Sequence, residues 1–390
     1  MNIIRRAISI FLIVAVMGGV VYIDQRQTEL SEGASRGIVS MAGFPHSIKS
    51  NRISSSWFCP GAAAGDGLDS ASVFISNPSD TAITAAVSFL SNSPMESQTV
   101  EVPARNHSVV DVLRGRTVGV IVPVVEIIGS VGTVEQQLIY AAGDVTSQCV
   151  SQTSSTWYFA DGFTAQGSSQ RLVLTNPYPE SAVVNVAYVT KEGKRSPTGL
   201  QGLILGPRTS RSLSLAEFGA TDESSIALEV KATTGQIIAS RMQHYLGGGR
   251  LGYSTTIGIP VALNEWWFAA GRTGPQVSER LVVFNPSASL AQVNVSFFGE
   301  GITNGTIIDE NAAAVAPSAT VDIPAGSVLL INTDDLADLP KGEHAMVVSS
   351  VGKVPVVVEH VLSQITGGSS FTAITNGVPA ALATQEWRIP

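Results

Sequence analysis

Apolar and polar residues alternate over short stretches through most of the chain. The segments AITAAVSFLS (82–91), AVVNVAYVT (182–190) and AQVNVSFFG (291–299) place apolar side chains at about every second position. A period of two predicts β-strands with one buried face. Outside the N-terminal region, the one helix candidate is SLAEFG at 214–219, which is too short to shape the fold.

These alternating segments belong to a pattern that occurs three times. A tryptophan is followed 20, 19 and 19 residues later by Asn-Pro, with a Gly/Ser-rich loop and an apolar strand between them. The pattern predicts three repeat units, 56–155, 156–264 and 265–390, the last with a C-terminal closing strand. The signature residues are Trp57, Asn77 and Pro78; Trp157, Asn176 and Pro177; and Trp266, Asn285 and Pro286. Proline fixes φ and holds the preceding asparagine extended, so we expect turns at Asn-Pro.

The second half of each unit also repeats. Two apolar stretches flank a glycine bend in all three units, as in SIALEVKATTGQIIASRMQHY, and a last short strand follows. We interpret each pair of stretches as a hairpin. Six or seven short strands per unit, with many turns, predict an all-β chain of three tandem antiparallel β-sandwiches, immunoglobulin-like in type.

The repeated tryptophan has two interpretations. It is either a core residue at the start of the first strand or an exposed aromatic platform for sugars or another partner. Recurrence at one position favours the core, because packing demands recur with the fold. The chain ends in QEWRIP, and Trp387 resembles the opening of a further unit. We expect this strand to close the sheet of the third unit or to cover its edge.

The N-terminal region differs from the rest of the chain. Residues 1–6 contain Arg5 and Arg6, residues 7–23 are uncharged and apolar, and residues 24–55 are polar. The apolar run ends in VVYIDQRQ, which is a poor cleavage site, so we favour an uncleaved transmembrane signal-anchor over a secreted form. Both alternatives place the three units outside the cytoplasm. In the anchored form, the N-terminus lies in the cytoplasm and residues 24–55 serve as a polar tether between the membrane and the first unit.

Composition narrows the classes of function. The chain has 44% apolar and 14% charged residues, 37 glycines, 19 prolines and a net charge of −8. There is no basic stripe, so we expect no nucleic-acid partner. Many glycines and prolines suit a fold with many turns.

Candidate catalytic and ligand-binding groups are sparse. The histidines 46, 107, 244, 344 and 360 have no metal-ligand spacing, and no hydrolase or nucleotide-binding motif is present, so we predict no enzyme, no cofactor and no metal. GGGR at 247–250 and the acidic pairs 309–310 and 334–335 are expected in loops. Glu359 and His360 are adjacent on a strand and so point to opposite faces. Glu135 aligns with Glu359, but the second unit has Ser240 there.

Cys59 and Cys149 are the two cysteines, and both lie in the first unit. Cys59 aligns with Phe159 and Phe268 of the other two units, and Cys149 aligns with about Gly258 and Gly377. If the first and last strands of a unit meet, an oxidising compartment favours a disulfide between them. Two buried thiols are the alternative.

The run Trp157-Tyr158-Phe159-Ala160-Asp161-Gly162 with Asn176-Pro177, and its counterpart at 266–271 with Asn285-Pro286, resembles a family of uncharacterised actinobacterial envelope proteins, a domain of unknown function. The resemblance covers about residues 56–387, although WFCPGA in the first unit departs from it. It implies a membrane-anchored or secreted β-repeat protein and supplies no catalytic residues.

Three functions remain open. The first is a non-enzymatic scaffold or binding module in the bacterial cell envelope that binds an envelope protein or polysaccharide. The second is a carbohydrate-binding accessory protein of an envelope glycosyltransferase or hydrolase system. The third is an unrecognised hydrolase, which would need a cleft with facing carboxylates or an activated histidine.

Arg5 and Arg6, which precede the apolar residues 7–23, predict the orientation of the chain in the membrane. A reporter that is active only in the cytoplasm, fused after Pro390, should be silent because the units lie outside. The same reporter fused after Arg6 gives the positive control. Activity of the fusion at Pro390 would contradict the predicted orientation.

Overall fold

The structure is a computed structural model that describes residues 54–379, except 66, 93–95, 131, 300–317, 337–341 and 367–368. The predicted transmembrane segment 7–23, the acidic pair 309–310 and Trp387 lie outside the described residues. Within the described part of the chain, no helix combines the length and the hydrophobicity needed to span a bilayer.

The first unit forms nine strands in its described part. They are β1 (Ser54–Phe58), β2 (Ala62–Ala64), β3 (Leu68–Asn77), β4 (Ile83–Leu90), β5 (Glu96–Val102), β6 (Asn106–Asp111), β7 (Gly119–Ile128), β8 (Thr133–Tyr140) and β9 (Gly143–Gln148). Val and Ile dominate the buried strand β7, as expected for residues that pack well on a pleated sheet.

The second unit repeats this series. Its strands are β10 (Thr156–Phe159), β11 (Ser169–Asn176), β12 (Ala182–Thr190), β13 (Gly193–Arg195), β14 (Leu203–Leu205), β15 (Thr209–Ser214), β16 (Ala227–Thr234), β17 (Ile238–Gly247) and β18 (Arg250–Ile257). Two short 3-10 helices, Thr198–Leu200 and Leu215–Phe218, lie between strands; the latter is the segment considered above as a helix candidate.

The third unit follows the same order. Its described strands are β19 (Glu265–Thr273), β20 (Val277–Phe284), β21 (Ala291–Phe298), β22 (Ser318–Ile323), β23 (Val328–Asn332), β24 (Gly342–Ser350), β25 (Val357–Thr366), β26 (Ser369–Asn376) and β27 (Val378–Pro379), with a 3-10 helix at Thr333–Asp335.

Each unit is a sandwich of two antiparallel sheets. The front sheet carries the tryptophan strand, in the orders β1-β7-β4-β5, β10-β16-β12-β13 and β22-β21-β24-β19-β27. The back sheet carries the strand that ends in Asn-Pro, in the orders β6-β3-β8-β9, β15-β11-β17-β18 and β23-β20-β25-β26. The all-β sandwich class is therefore confirmed, but neither order is the ABED/CFG order of immunoglobulin domains.

The predicted hairpins around the glycine bends are wrong. The two strands at each bend belong to different sheets: β7 to the front and β8 to the back sheet, and likewise β16 and β17, and β24 and β25. Each bend is therefore an arch, in which the chain crosses from the front sheet to the back sheet. The apolar side chains of the two strands face each other across the core. The hairpins lie one step later, at β8–β9, β17–β18 and β25–β26.

The three signature tryptophans lie in the sandwich cores. Trp57, Trp157 and Trp266 are buried on the inner faces of their front sheets, opposite Val125, Val230 and Val348. The indole Nε1 of Trp157 donates to the carbonyl oxygen of Ile237 at 2.9 Å, and that of Trp266 to Val356 at 2.8 Å. Both acceptors follow the arch, so each ring ties the first strand to the crossing between the sheets.

The Asn-Pro asparagines form a second tie between the sheets. Asn176 is buried, and its Nδ2 donates to the carbonyl oxygens of Glu180, Leu205 and Gly206 at 2.7, 3.3 and 3.0 Å. Leu205 ends β14, a front-sheet strand, whereas Asn176 ends β11 in the back sheet. The asparagines at the equivalent positions, Asn77 and Asn285, make the same three kinds of contact.

The three sandwiches are stacked face to face. Outward-facing residues of the front sheet in one unit share a buried cluster with outward-facing residues of the back sheet in the next. At the first junction these include Phe58, Leu90, Val122, Val173 and Met242. At the second they include Ala160, Val189, Ala227, Ile259, Val282, Phe284 and Val357. Front sheets are therefore apolar on both faces.

Burial of Trp157 predicts a large stability effect. Trp157→Ala should lower the free energy of unfolding of the second unit by roughly 3–5 kcal/mol, because it leaves a cavity and an unpaired carbonyl. Urea unfolding measures it. Trp267→Ala is the matched control, since that neighbouring indole is 45% exposed and should cost far less. Equal effects of the two changes would contradict the core assignment.

Candidate functional site

The two cysteines form a disulfide that closes the first unit. Cys59 and Cys149 are both fully buried, with a Cα–Cα distance of 4.2 Å. Cys149 follows β9 at the point where the chain leaves the back sheet, and the next residue, Val150, pairs with Phe58 of the front sheet. The predicted disulfide is confirmed, and the first and last strands of the unit do meet.

The other units fill the same place with a phenylalanine over a glycine. A Cβ on Gly258 would lie 2.8 Å from Cζ of Phe159, and one on Gly377 would lie 2.7 Å from Cζ of Phe268. Only glycine leaves room for the ring. The disulfide of the first unit thus replaces an aromatic contact, and the alignment of the two cysteines with Phe and Gly positions has a direct physical basis.

Below each disulfide or Phe–Gly contact, one polar residue lies in the core. It is Gln136 in the first unit, Arg241 in the second and His360 in the third, and all three are buried. Gln136 pairs with both the amide and the carbonyl of Gly61, at 3.0 and 2.6 Å. Gln136 and Arg241 each contact the segment that follows the tryptophan strand, residues 59–61 and 160–162, whereas the equivalent residues of the third unit, 269–271, lie within β19. We call each of these three stretches the opening segment of its unit.

At the junction of the second and third units, the buried polar residue Arg241 belongs to a larger ionic network. Arg241 contacts the carboxylate of Glu359 at 2.9 and 3.2 Å and donates to the Asp161 carbonyl. Glu359 also accepts from the Asp161 amide at 2.6 Å. Arg250 and Tyr245 each donate to the Asp161 carboxylate, at 2.7 and 2.8 Å. The network joins the two units, because Glu359 alone among these residues belongs to the third.

Burial and pairing act against each other in this network. Burial would raise the pKa of Asp161, but the guanidinium groups of Arg250 and Arg241 outweigh it and hold this pKa below its usual value. Burial dominates for Glu359 and raises its pKa despite Arg241. Burial and the Asp161 carboxylate raise the pKa of Tyr245 well above its usual value. Tyr245 therefore acts as a hydrogen-bond donor.

A second buried group lies in the core of the third unit. Glu279 on β20 contacts Nε2 of His344 and Nε2 of His360, both at 2.8 Å, and Thr333 donates to it at 3.0 Å. Burial would raise the pKa of Glu279, but hydrogen bonds from the two histidines lower it to about 2. Glu359 and His360 do face opposite sides of β25, as expected.

This histidine–glutamate cluster does not form a metal site. Each imidazole Nε2 points at a separate carboxylate oxygen, so the three side chains satisfy one another rather than converging on a common point. Within the described residues, no group of three His, Cys, Asp or Glu side chains has a geometry that could hold a metal ion.

A shallow groove runs where the last hairpins of the three units meet. It has a volume of about 230 Å³ and lies between β9, β18 and β26. Asp144, Tyr253 and Phe371 are among its lining residues, and the Phe371 side chain is 45% exposed. The ring of Tyr253 stacks on that of Tyr140, with centroids 3.8 Å apart, and on that of His244, with centroids 4.1 Å apart, so it contacts both units of the first junction.

The other candidates take structural positions. GGGR forms the turn between β17 and β18, where Gly248 and Gly249 have φ of 66° and 73°, values that favour glycine. Asp334 and Asp335 lie in a 3-10 helix. Glu135 is exposed on β8. Sequence reasoning missed the partners of Asp161 and Glu279, although a charged residue at an inward-facing position of a strand is a signal for such pairs.

Comparisons with known proteins give one family match. The model of a family described as "Family of unknown function (DUF5719)" matches residues 129–249. The match begins directly after β7 and ends in the turn before β18, so it crosses the first junction. The prediction of an uncharacterised domain of unknown function is confirmed. No curated protein matches the sequence.

Two solved structures are similar in part. The "Crystal Structure of Thermotoga maritima 1070" shares 17% identity at a TM-score of 0.25, over 30% of this chain and 93% of that chain. The Streptomyces avermitilis alpha-L-rhamnosidase complexed with L-rhamnose shares 11% identity at a TM-score of 0.19, over 87% of this chain and 45% of that chain. Neither score supports an argument about function.

The disulfide and its Phe–Gly counterparts predict a rescue. Replacing both cysteines by alanine should cost about 2–4 kcal/mol of unfolding free energy. Cys59→Phe with Cys149→Gly should recover part of it, because the ring refills the space as in the other units. Urea unfolding compares the variants, and thiol titration of the denatured, unreduced wild type should find no free thiol. A Phe–Gly variant no more stable than the alanine variant would contradict the equivalence.

The low pKa of Glu279 predicts a pH dependence. A folded pKa of about 2, against an ordinary 4.5, stabilises the third unit above pH 4.5, and this contribution is lost as the pH falls towards 2. Glu279→Gln should therefore destabilise by about 3 kcal/mol near pH 7 and much less near pH 2. Unfolding at several pH values measures the difference. The exposed Glu343→Gln should show no such trend; a pH-independent effect at Glu279 would contradict the account.

Proposed function

We propose that the protein is a non-enzymatic scaffold of the cell envelope, anchored by residues 7–23 with its sandwiches outside the cytoplasm. The observation that carries the proposal is the ionic network of Asp161, Arg241 and Glu359, buried across a junction between sandwiches. A buried charge pair of this kind is strongly unfavourable to separate. It supports a stack that holds its surfaces in fixed relative positions, as a scaffold requires.

The placement of the polar side chains supports the same function. The most strongly buried charged groups, Arg241, Arg250, Asp161 and Glu359, are paired with one another rather than presented to a cleft. The acid and the histidines of the third unit are likewise enclosed in its core. The Cys59–Cys149 disulfide supports an oxidising compartment, in agreement with the orientation expected from Arg5 and Arg6.

A carbohydrate-binding role is the second candidate, and one observation favours it. The groove between the three terminal hairpins presents the exposed ring of Phe371 beside Asp144 and Thr372. An aromatic face flanked by polar groups suits a sugar ring, which is apolar on one side and rich in hydroxyls at its rim. Phe371→Ala should abolish retention of envelope polysaccharide if this groove binds it, with the exposed Tyr178→Ala as the control.

Affinity purification from membranes of the native host tests the scaffold function. The tagged full chain should retain a specific envelope protein, whereas a control that joins residues 1–53 to an unrelated domain should not. Retention of polysaccharide, lost in Phe371→Ala, would favour the second candidate. Identical eluates from the full chain and the control would contradict both, because the sandwiches would then bind nothing.

A further inference from the structure

The front sheet of the third unit ends the described stack, and its outer face is not covered by another sandwich. In the first two units the corresponding face is buried at a junction. The strand pairings identify equivalent positions, because Phe58, Tyr158 and Trp267 each pair with the closing strand of their own unit, at Val150, Ile259 and Val378. The three faces can therefore be compared position by position.

The comparison shows an apolar patch at positions that form junctions elsewhere. Phe58, Leu90 and Val150 are buried in the first junction, and Val189 and Ile259 in the second. Their equivalents in the third unit are Trp267, Phe298 and Val378, which are 45%, 48% and 36% exposed. Ala345 and Val347 lie between them and are half-buried. We call these five residues of the third unit the terminal patch.

The terminal patch is larger and more aromatic than its covered counterparts. The third unit has Phe298 at the position of Leu90 and Val189. It has Trp267 at the position of Phe58 and Tyr158. Large exposed rings clustered on one sheet face mark interaction surfaces. Tryptophan is also the residue that most often dominates the energy of an interface.

The two observed junctions define what fits such a patch. In each, the occupant is the outer face of a back sheet, and its central position lies against the opening segment of the preceding unit. Ser240 Oγ donates to the Pro60 carbonyl at 2.6 Å in the first junction. Glu359 accepts from the Asp161 amide at 2.6 Å in the second. The occupant is therefore a sheet with a hydrogen-bonding side chain at this position.

One other back sheet in the described chain has an uncovered outer face, that of the first unit. It carries Glu135 at the position of Ser240 and Glu359. Phe74 lies beside Glu135 on that face, at the position of the buried Val173 and Val282. Ile139 is 37% exposed on the same strand as Glu135. The face thus offers an aromatic ring and a carboxylate where the junctions require an apolar and a polar group.

We propose that the terminal patch binds the back sheet of the first unit in a second copy of this chain, so that copies associate head to tail through a third instance of the same junction. Glu135 of one copy then faces the opening segment at Ala269 and Ala270 of its neighbour. Because the two contacting surfaces are different, the association does not close after two copies but continues as a ring or as a linear series.

Sedimentation velocity of the full chain in a non-ionic detergent, with variants of each face, tests this assembly. The wild type should form a concentration-dependent series of oligomers. Trp267→Asp and Phe74→Asp should each weaken the association at least about tenfold. An equimolar mixture of the two variants should give a discrete dimer, because each retains the face that the other lacks. Tyr178→Asp, at an exposed ring outside both faces, should behave as the wild type.

Cross-linking in membranes provides a second measurement that does not depend on the stability of these variants. Ala269→Cys and Glu135→Cys on separate copies should be joined by a short bismaleimide, whereas Ala269→Cys with Lys194→Cys should not. A wild type that is monomeric at all concentrations overturns the proposal, as does a mixture of the aspartate variants that stays monomeric. Either result would mean that another part of the chain or a different partner covers the patch.

Discussion

A sheet that is apolar on both faces must be covered on both sides, and this constraint governs the whole molecule. In each unit, the inner face of the front sheet packs against the back sheet of the same unit, around Trp57, Trp157 or Trp266. In the first and second units, the outer face of this sheet is covered by the next unit. Each buried Val, Leu or Phe side chain contributes about 1.5–3 kcal/mol relative to an exposed one, so the junctions add to stability on the scale of a whole domain. The units therefore depend on one another.

The ionic network follows from this stacking. Once the apolar faces exclude water, Glu359 and Asp161 are buried with Arg241 and Arg250, and each must be paired. Such a network adds little net stability compared with apolar residues of similar volume, but breaking it is costly. We attribute the alignment of the second and third units to this network, because its hydrogen bonds and ion pairs form only when the two units are in register. At the first junction a neutral contact, Ser240 to Pro60, lies at the equivalent place.

Much of the fold could be predicted from the sequence. The period of two predicted the strands of an all-β chain, and the alignment of Cys59 and Cys149 led to the disulfide. The arches were mistaken for hairpins because a glycine between two apolar strands looks the same in both cases; the choice depends on which sheet each strand joins. The Asn176 contacts and the pairing of Asp161 with Glu359, 198 residues away, depend on tertiary contacts that no local pattern encodes.

The central claim is that the junctions join the sandwiches into one cooperative body, and differential scanning calorimetry of the full chain tests it most directly. The account predicts that the second and third units unfold in a single transition. Glu359→Ala, which leaves Arg241 buried without its carboxylate, should split that transition in two, whereas the exposed Glu343→Ala should not. Separate transitions for these units in the wild type would contradict the claim.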